Sequence, residues 1–151
     1  MDAVSVDGTD TGLQGRTAIL DTGTTLIVAP AADAKAVHDA IPGSQSDGQG
    51  GFTVPCTTTS SVALTFGGTS FTIDPRDIAV QPVDPTNPNG DCVSGISAGD
   101  IGGPNEWLVR FSPDSGWFFF CSWISLSTRR SEMYSSRTPI SRLTLARIKS
   151  S

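Results

Sequence analysis

Ala18-Ile19-Leu20-Asp21-Thr22-Gly23-Thr24-Thr25-Leu26-Ile27-Val28-Ala29-Pro30, residues 18–30, holds a single carboxylate between two apolar runs. An acid in such surroundings is costly unless hydrogen bonds satisfy it. Thr22 and Thr24 bring hydroxyls, and Gly23 has no Cβ to block a tight return of the backbone toward Asp21. The stretch therefore suits a carboxylate presented to a ligand on one side and held rigidly on the other.

Upstream, Ala3-Val4-Ser5-Val6 with Asp7-Gly8 reads as a strand end and a turn. Asp10-Thr11-Gly12 repeats the acid-threonine-glycine order but has no flanking apolar runs, so it reads as a solvated turn. Downstream, residues 31–41 place apolar side chains at Ala34, Val37, Ala40 and Ile41, a short amphipathic helix between Pro30 and Pro42-Gly43. His38 lies on it. Without a second histidine or a cysteine cluster at ligand spacing, a surface histidine is expected there, neither a base nor a metal ligand.

Residues 44–51 are polar and glycine-rich, a loop. Phe52-Thr53-Val54, Val62-Ala63-Leu64-Thr65-Phe66 and Thr69-Ser70-Phe71-Thr72-Ile73 alternate as half-buried strands do, the last two joined by Gly67-Gly68 as a two-residue hairpin. Asp74-Pro75-Arg76-Asp77 is expected to end that hairpin, with a strand from Ile78. Residues 82–90, rich in proline and asparagine, form an exposed loop.

At 151 residues with 16 Gly and 10 Pro, the chain suits one all-β unit of short strands and turns. It contains no 18-residue apolar run, so no membrane span is expected, and residues 1–4 lack the pattern of a secretory signal. Charge is uneven. Residues 1–109 carry 13 acidic against 3 basic side chains, net −10, and residues 110–151 carry 2 against 7, net +5, giving the overall −5. The scattered arginines of the second part form no patch suited to nucleic acid.

The Asp21 stretch resembles the Asp-Thr-Gly-Thr loop of the C-terminal lobe of pepsin-like (A1-type) aspartic proteases. Ile41-Pro42, Val54-Pro55-Cys56, Gly67-Gly68, Cys92-Val93-Ser94-Gly95-Ile96 and Glu106-Trp107-Leu108-Val109 follow in the family's order over roughly residues 2–109. The resemblance implies one lobe of a bilobal all-β fold with a short helix after the active-site loop. It implies Asp21 as one of two catalytic aspartates, Thr22, Gly23 and Thr24 as the loop that holds it, and Ile19, Thr25 and Leu108 along the substrate cleft. It also implies a Cys56–Cys92 disulfide, a peptide or protein substrate, no metal or other cofactor, and a secreted or vacuolar setting.

The chain carries one such loop, so the lobe alone is expected to be inactive, since the chemistry needs two carboxyls that share a proton. A second lobe or a homodimer of retroviral type would supply the partner acid; a catalytically silent β-module is the non-enzymatic alternative. An Asp-based phosphotransferase wants a second acid two residues on, or a lysine directly after the first, and Thr22-Gly23 supplies neither. The family continues Trp-Leu-Val with Gly and Asp, whereas Arg110 stands here. The lobe is therefore expected to be incomplete at its start and to end at Val109. Residues 110–151, with the aromatic run Trp117-Phe118-Phe119-Phe120 and the odd thiol of Cys121, are expected to be a tail of uncertain fold: a non-homologous segment from a shifted frame or unspliced coding sequence that folds poorly, with a divergent lobe end and a basic extension as the alternatives.

Overall fold

The structure is a computed structural model and describes residues 1–21, 26–110 and 146–148. It begins with strands β1 (Ala3–Val6), β2 (Thr9–Asp10), β3 (Thr17–Asp21) and β4 (Ile27–Ala29), followed by helix α1 (Ala31–Asp39). Next come β5 (Gln45–Ser46), β6 (Phe52–Pro55), β7 (Val62–Phe66), β8 (Thr69–Ile73) and the single turn α2 (Pro75–Ile78). After these are β9 (Ala79–Pro82), β10 (Asp91–Ser94), β11 (Ile96–Ala98), β12 (Glu106–Arg110) and β13 (Ala146–Ile148). The chain is mainly β, with the short helix directly after the Asp21 stretch.

Three sheets share one core, with orders β2-β1-β7-β8, β5-β6-β10-β9 and β11-β4-β12-β3-β13. The hairpins follow their turn chemistry. Gly67 and Gly68 both take positive φ, 55° and 79°, as a type I′ turn requires, and Phe66 pairs with Thr69 across it. Val62, Leu64 and Phe66 face the core, while Ala63 and Thr65 are half-buried. Asp10-Thr11-Gly12 is only in part the expected solvated turn: Asp10 is exposed but closes β2 opposite Ser5, Thr11 is half-buried and donates to the Val4 carbonyl, and Gly12 N–H donates to Asp10 Oδ1 at 2.8 Å.

Three further readings need correction. Residues 44–51 are not all loop: Gln45 and Ser46 pair with Thr53 and Phe52. Asp74-Pro75-Arg76-Asp77 does not simply end a hairpin. Asp74 Oδ1 accepts the Arg76 N–H at 2.9 Å and Pro75 takes the first helical position, so a capped turn intervenes and the strand starts at Ala79. His38 is not on the surface. It is buried on α1 with Asp33, Ala34 and Val37, whereas Ala40 is exposed. Both polar side chains are accepted inside because each finds hydrogen-bond partners there.

Cys56 and Cys92 are disulfide-bonded, with Cα atoms 4.9 Å apart. The bond clips the end of β6 to β10, where Cys56 N–H also donates to the Gly90 carbonyl at 2.8 Å. For a sequence separation of 36 the loss of unfolded-chain entropy is worth about 3.8 kcal/mol. Cys92→Ser is expected to lower unfolding stability by about 2–5 kcal/mol in chemical denaturation, and an unchanged midpoint would contradict that role.

Gly95 links β10 to β11 beneath α2. Its N–H donates to the Ile78 carbonyl at 2.7 Å, and a Cβ there would collide with the carbonyl oxygen of Asp77. Because the obstacle is backbone, Gly95→Ala is expected to cost about 1–3 kcal/mol, read as a fall in thermal midpoint. Retention of the parent midpoint would show that α2 can shift freely.

β12 continues through Arg110, which pairs with Asp21. Beyond it the three residues of β13 pair antiparallel with β3, Arg147 opposite Ile19. The aromatic run and Cys121 lie outside the described residues.

Candidate active site

The five-stranded sheet sets the geometry around Asp21. β3 delivers it, and β4 leads away after the loop. β12 runs between these two strands, parallel to β3 with Leu108 opposite Ile19, and antiparallel to β4 with Leu108 opposite Val28. The loop therefore joins strands separated in the sheet by a third, and Asp21 stands at the end of β3 beside the far end of β12.

Strand alternation sorts the two faces. Ala18, Leu20, Ile27, Ala29, Trp107 and Val109 are buried in the core. Ile19, Val28 and Leu108 are half-buried on the opposite face, and Ser97 of β11 extends their row beside Val28. Asp21, two residues after Ile19 and also half-buried, belongs to that face. Ile19 and Leu108 are thus adjacent to each other and to the strand end that carries Asp21. Thr22, Gly23, Thr24 and Thr25 lie outside the described residues.

A second carboxylate, absent from the sequence reading, supports this frame from below. Asp33, in the first turn of α1, is almost completely buried. Its Oδ2 accepts from Arg16 Nε at 2.6 Å and from Trp107 Nε1 at 2.9 Å, and its Oδ1 accepts from Arg16 Nη2 at 2.9 Å. Arg16 immediately precedes β3 and Trp107 sits in β12, so one carboxylate ties α1 to the starts of both strands that flank Asp21. Burial pushes the Asp33 carboxyl up. The bonds from Arg16 and Trp107, with the guanidinium charge, outweigh it and hold the group below the usual carboxylate range. The signal was in the sequence: Asp33 lies four residues before Val37, on the helix stripe that also carries Ala34 and Ile41.

Among the described residues no cluster of His, Cys, Asp and Glu could hold a metal, and no helix is long and apolar enough to cross a membrane. The ordered donors around Asp33 tie α1 to β3 and β12, while Asp21 is half-buried at the end of β3.

The family model for eukaryotic aspartyl proteases matches residues 1–108. The probable aspartic-type endopeptidase CTSD of Arthroderma benhamiae is 42% identical over 110 residues, covering 72% of this chain and 21% of that protein. An aspartic protease of Phaffia rhodozyma is 40% identical over 114 residues, 70% of this chain and 27% of that protein. The aspartic-type endopeptidase ctsD of Aspergillus fumigatus is 36% identical over 110 residues, 72% and 22% respectively. The chain thus spans about a fifth to a quarter of the relatives it matches.

Proposed function

The chain belongs to the eukaryotic aspartyl protease family, and on that premise we propose that it supplies one of the two acids of a peptide-bond hydrolase, Asp21. The observation that carries the proposal is the placement of Asp21 at the end of a central strand, on the half-buried face with Ile19 and Leu108. Two carboxyls brought together cannot both ionise, so one takes a proton from the attacking water while the other, protonated, polarises the scissile carbonyl. Asp21 is one member of that pair. Thr22, Gly23 and Thr24 hold its loop, and Ile19, Thr25 and Leu108 line the cleft beside the substrate.

The second acid comes from another lobe, and without it this lobe is inactive. We assign residues 1–109 to the homologous lobe, a division supported by a family match that stops at 108, although Arg110 and residues 146–148 extend its five-stranded sheet. The Cys56–Cys92 disulfide favours a secreted or vacuolar compartment, where such bonds persist. Incubating the chain with a denatured protein at acid pH, alone and joined to a lobe bearing a second Asp-Thr-Gly, tests the assignment. Cleavage is expected only in the joined form and is blocked by a peptide mimic of the transition state. Cleavage by the isolated chain that depends on its concentration would favour a homodimer.

A further inference from the structure

His38 is the sole histidine of the chain, and its surroundings define its hydrogens. The Ala34 carbonyl, 2.7 Å from Nδ1, can only accept, so Nδ1 carries the proton. Nε2 then accepts the hydroxyl of Ser94 at 2.8 Å, and Ser94 Oγ in turn accepts the Ile96 N–H at 3.1 Å. The imidazole lies flat on Phe52 of β6, with ring centroids 3.9 Å apart and planes 6° from parallel. Every polar atom of this buried chain is used once, and the pattern closes only with a neutral imidazole.

Protonation reverses one link. An imidazolium donates from both nitrogens, so Ser94 Oγ would receive two N–H donors and its own hydrogen would lose its acceptor. A cation in a buried site lacks the solvation it has in water, although the Phe52 face offsets part of that cost. Charged neighbours give little relief. Asp39 on α1 is paired with Lys35 at 2.5 Å. In the β5–β6 turn the Asp47 carboxylate accepts the Gln49 and Gly51 N–H groups, Asp91 of β10 is exposed, and after β11 Asp100 accepts from Gly102. Burial accordingly lowers the His38 pKa, more than the Ala34 bond and the Asp39 charge raise it.

We propose that the His38–Ser94 pair is a pH-sensitive latch that fastens α1 to the β10–β11 corner while the imidazole is neutral and lets go on acidification. The corner matters because it carries the strand leaving the Asp21 loop: Ile27 N–H donates to the Gly95 carbonyl at 2.8 Å, and Ile27 pairs with Ile96. Release therefore acts on β4, at the exit of the loop. The linkage sign agrees. A histidine whose folded pKa lies below the ordinary ~6.5 contributes stability that is fully present above that value and is lost as pH falls through the folded pKa.

The latch rests on hydrogen-bond geometry and stands or falls independently of the proteolytic reading. Since the chain has one histidine, ¹⁵N-labelling of that residue type reports His38 alone in the full chain. The expected result is a neutral ring protonated at Nδ1, titrating below the ordinary histidine range. Amide exchange of Ile96 and Ile27, corrected for the intrinsic pH dependence of exchange, should rise about tenfold or more across the same transition, while that of Leu64 in the β7 strand, corrected in the same way, stays unchanged. In Ser94→Ala the Ile96 exchange should be fast at all pH and no longer follow His38; if that variant does not fold, Ser94→Thr, which keeps the hydroxyl, should retain the coupling. A ring protonated at Nε2, or Leu64 and Ile96 rising together, overturns the latch.

Discussion

Asp33→Ala is expected to lower the unfolding free energy toward the low end of the about 3–5 kcal/mol that removing one partner from a buried ion pair costs, because Arg16 is partly exposed and still donates to the Gln14 carbonyl. The substitution leaves the Arg16 guanidinium without its two-pronged acceptor and the buried Trp107 Nε1–H without a partner. Against a total stability of about 5–15 kcal/mol for a domain, the loss is large. Urea titration of the full chain should show a lower midpoint with an unchanged slope, and a loss below about 1 kcal/mol would mean that the cluster rearranges without penalty. Asp33→Asn keeps an acceptor for Trp107 but not the charge, so it should fall between alanine and the parent. The pH dependence follows from the depressed carboxyl. Its contribution is present above the ordinary carboxylate value near ~3.9 and fades as pH falls through the lower folded value.

The two buried polar residues show where the sequence was and was not legible. Strand alternation in β7 and the glycine pair after it identify a hairpin from local chemistry alone, and the structure matches residue for residue. Helix α1 was visible from its breakers and its apolar spacing. Reading its buried face from hydrophobic residues alone, however, selected Ala40 and passed over Asp33 and His38, which occupy stripe positions with Ala34 and Val37. A polar residue on a stripe is inside only when partners exist, and those partners are distant in sequence: Trp107 for Asp33, Ser94 for His38. The same separation hid the order of the five-stranded sheet. β12 enters between β3 and β4 although some 80 residues intervene, roughly the span between Leu108 and its partners Ile19 and Val28. Asp21, Ile19 and Leu108 could be picked out through a family resemblance; their shared face became visible only with the register.

Asp21→Asn, in the form joined to a lobe with the second acid, is expected to reduce kcat for cleavage of a denatured protein by at least about 10²–10⁴-fold. Asparagine has nearly the same shape and keeps one acceptor oxygen, so folding and substrate binding should survive, as thermal midpoint and inhibitor binding would show. What it lacks is the ability to exchange a proton, the step assigned to Asp21. Ile19→Ala and Leu108→Ala serve as the contrast. They shorten apolar side chains along the proposed cleft, and a pocket change of this kind discriminates between side chains by about 1–3 kcal/mol. Their effect should appear mainly as altered cleavage preference and a raised KM, with kcat for well-fitting sites nearly kept. An acid that performs chemistry and a neighbour that shapes the cleft thus leave different kinetic traces. If Asp21→Asn cleaves at the parent rate, Asp21 is not a catalytic acid and the half-buried face beside it serves another purpose; if instead all three substitutions lower kcat alike with a falling thermal midpoint, the face is structural.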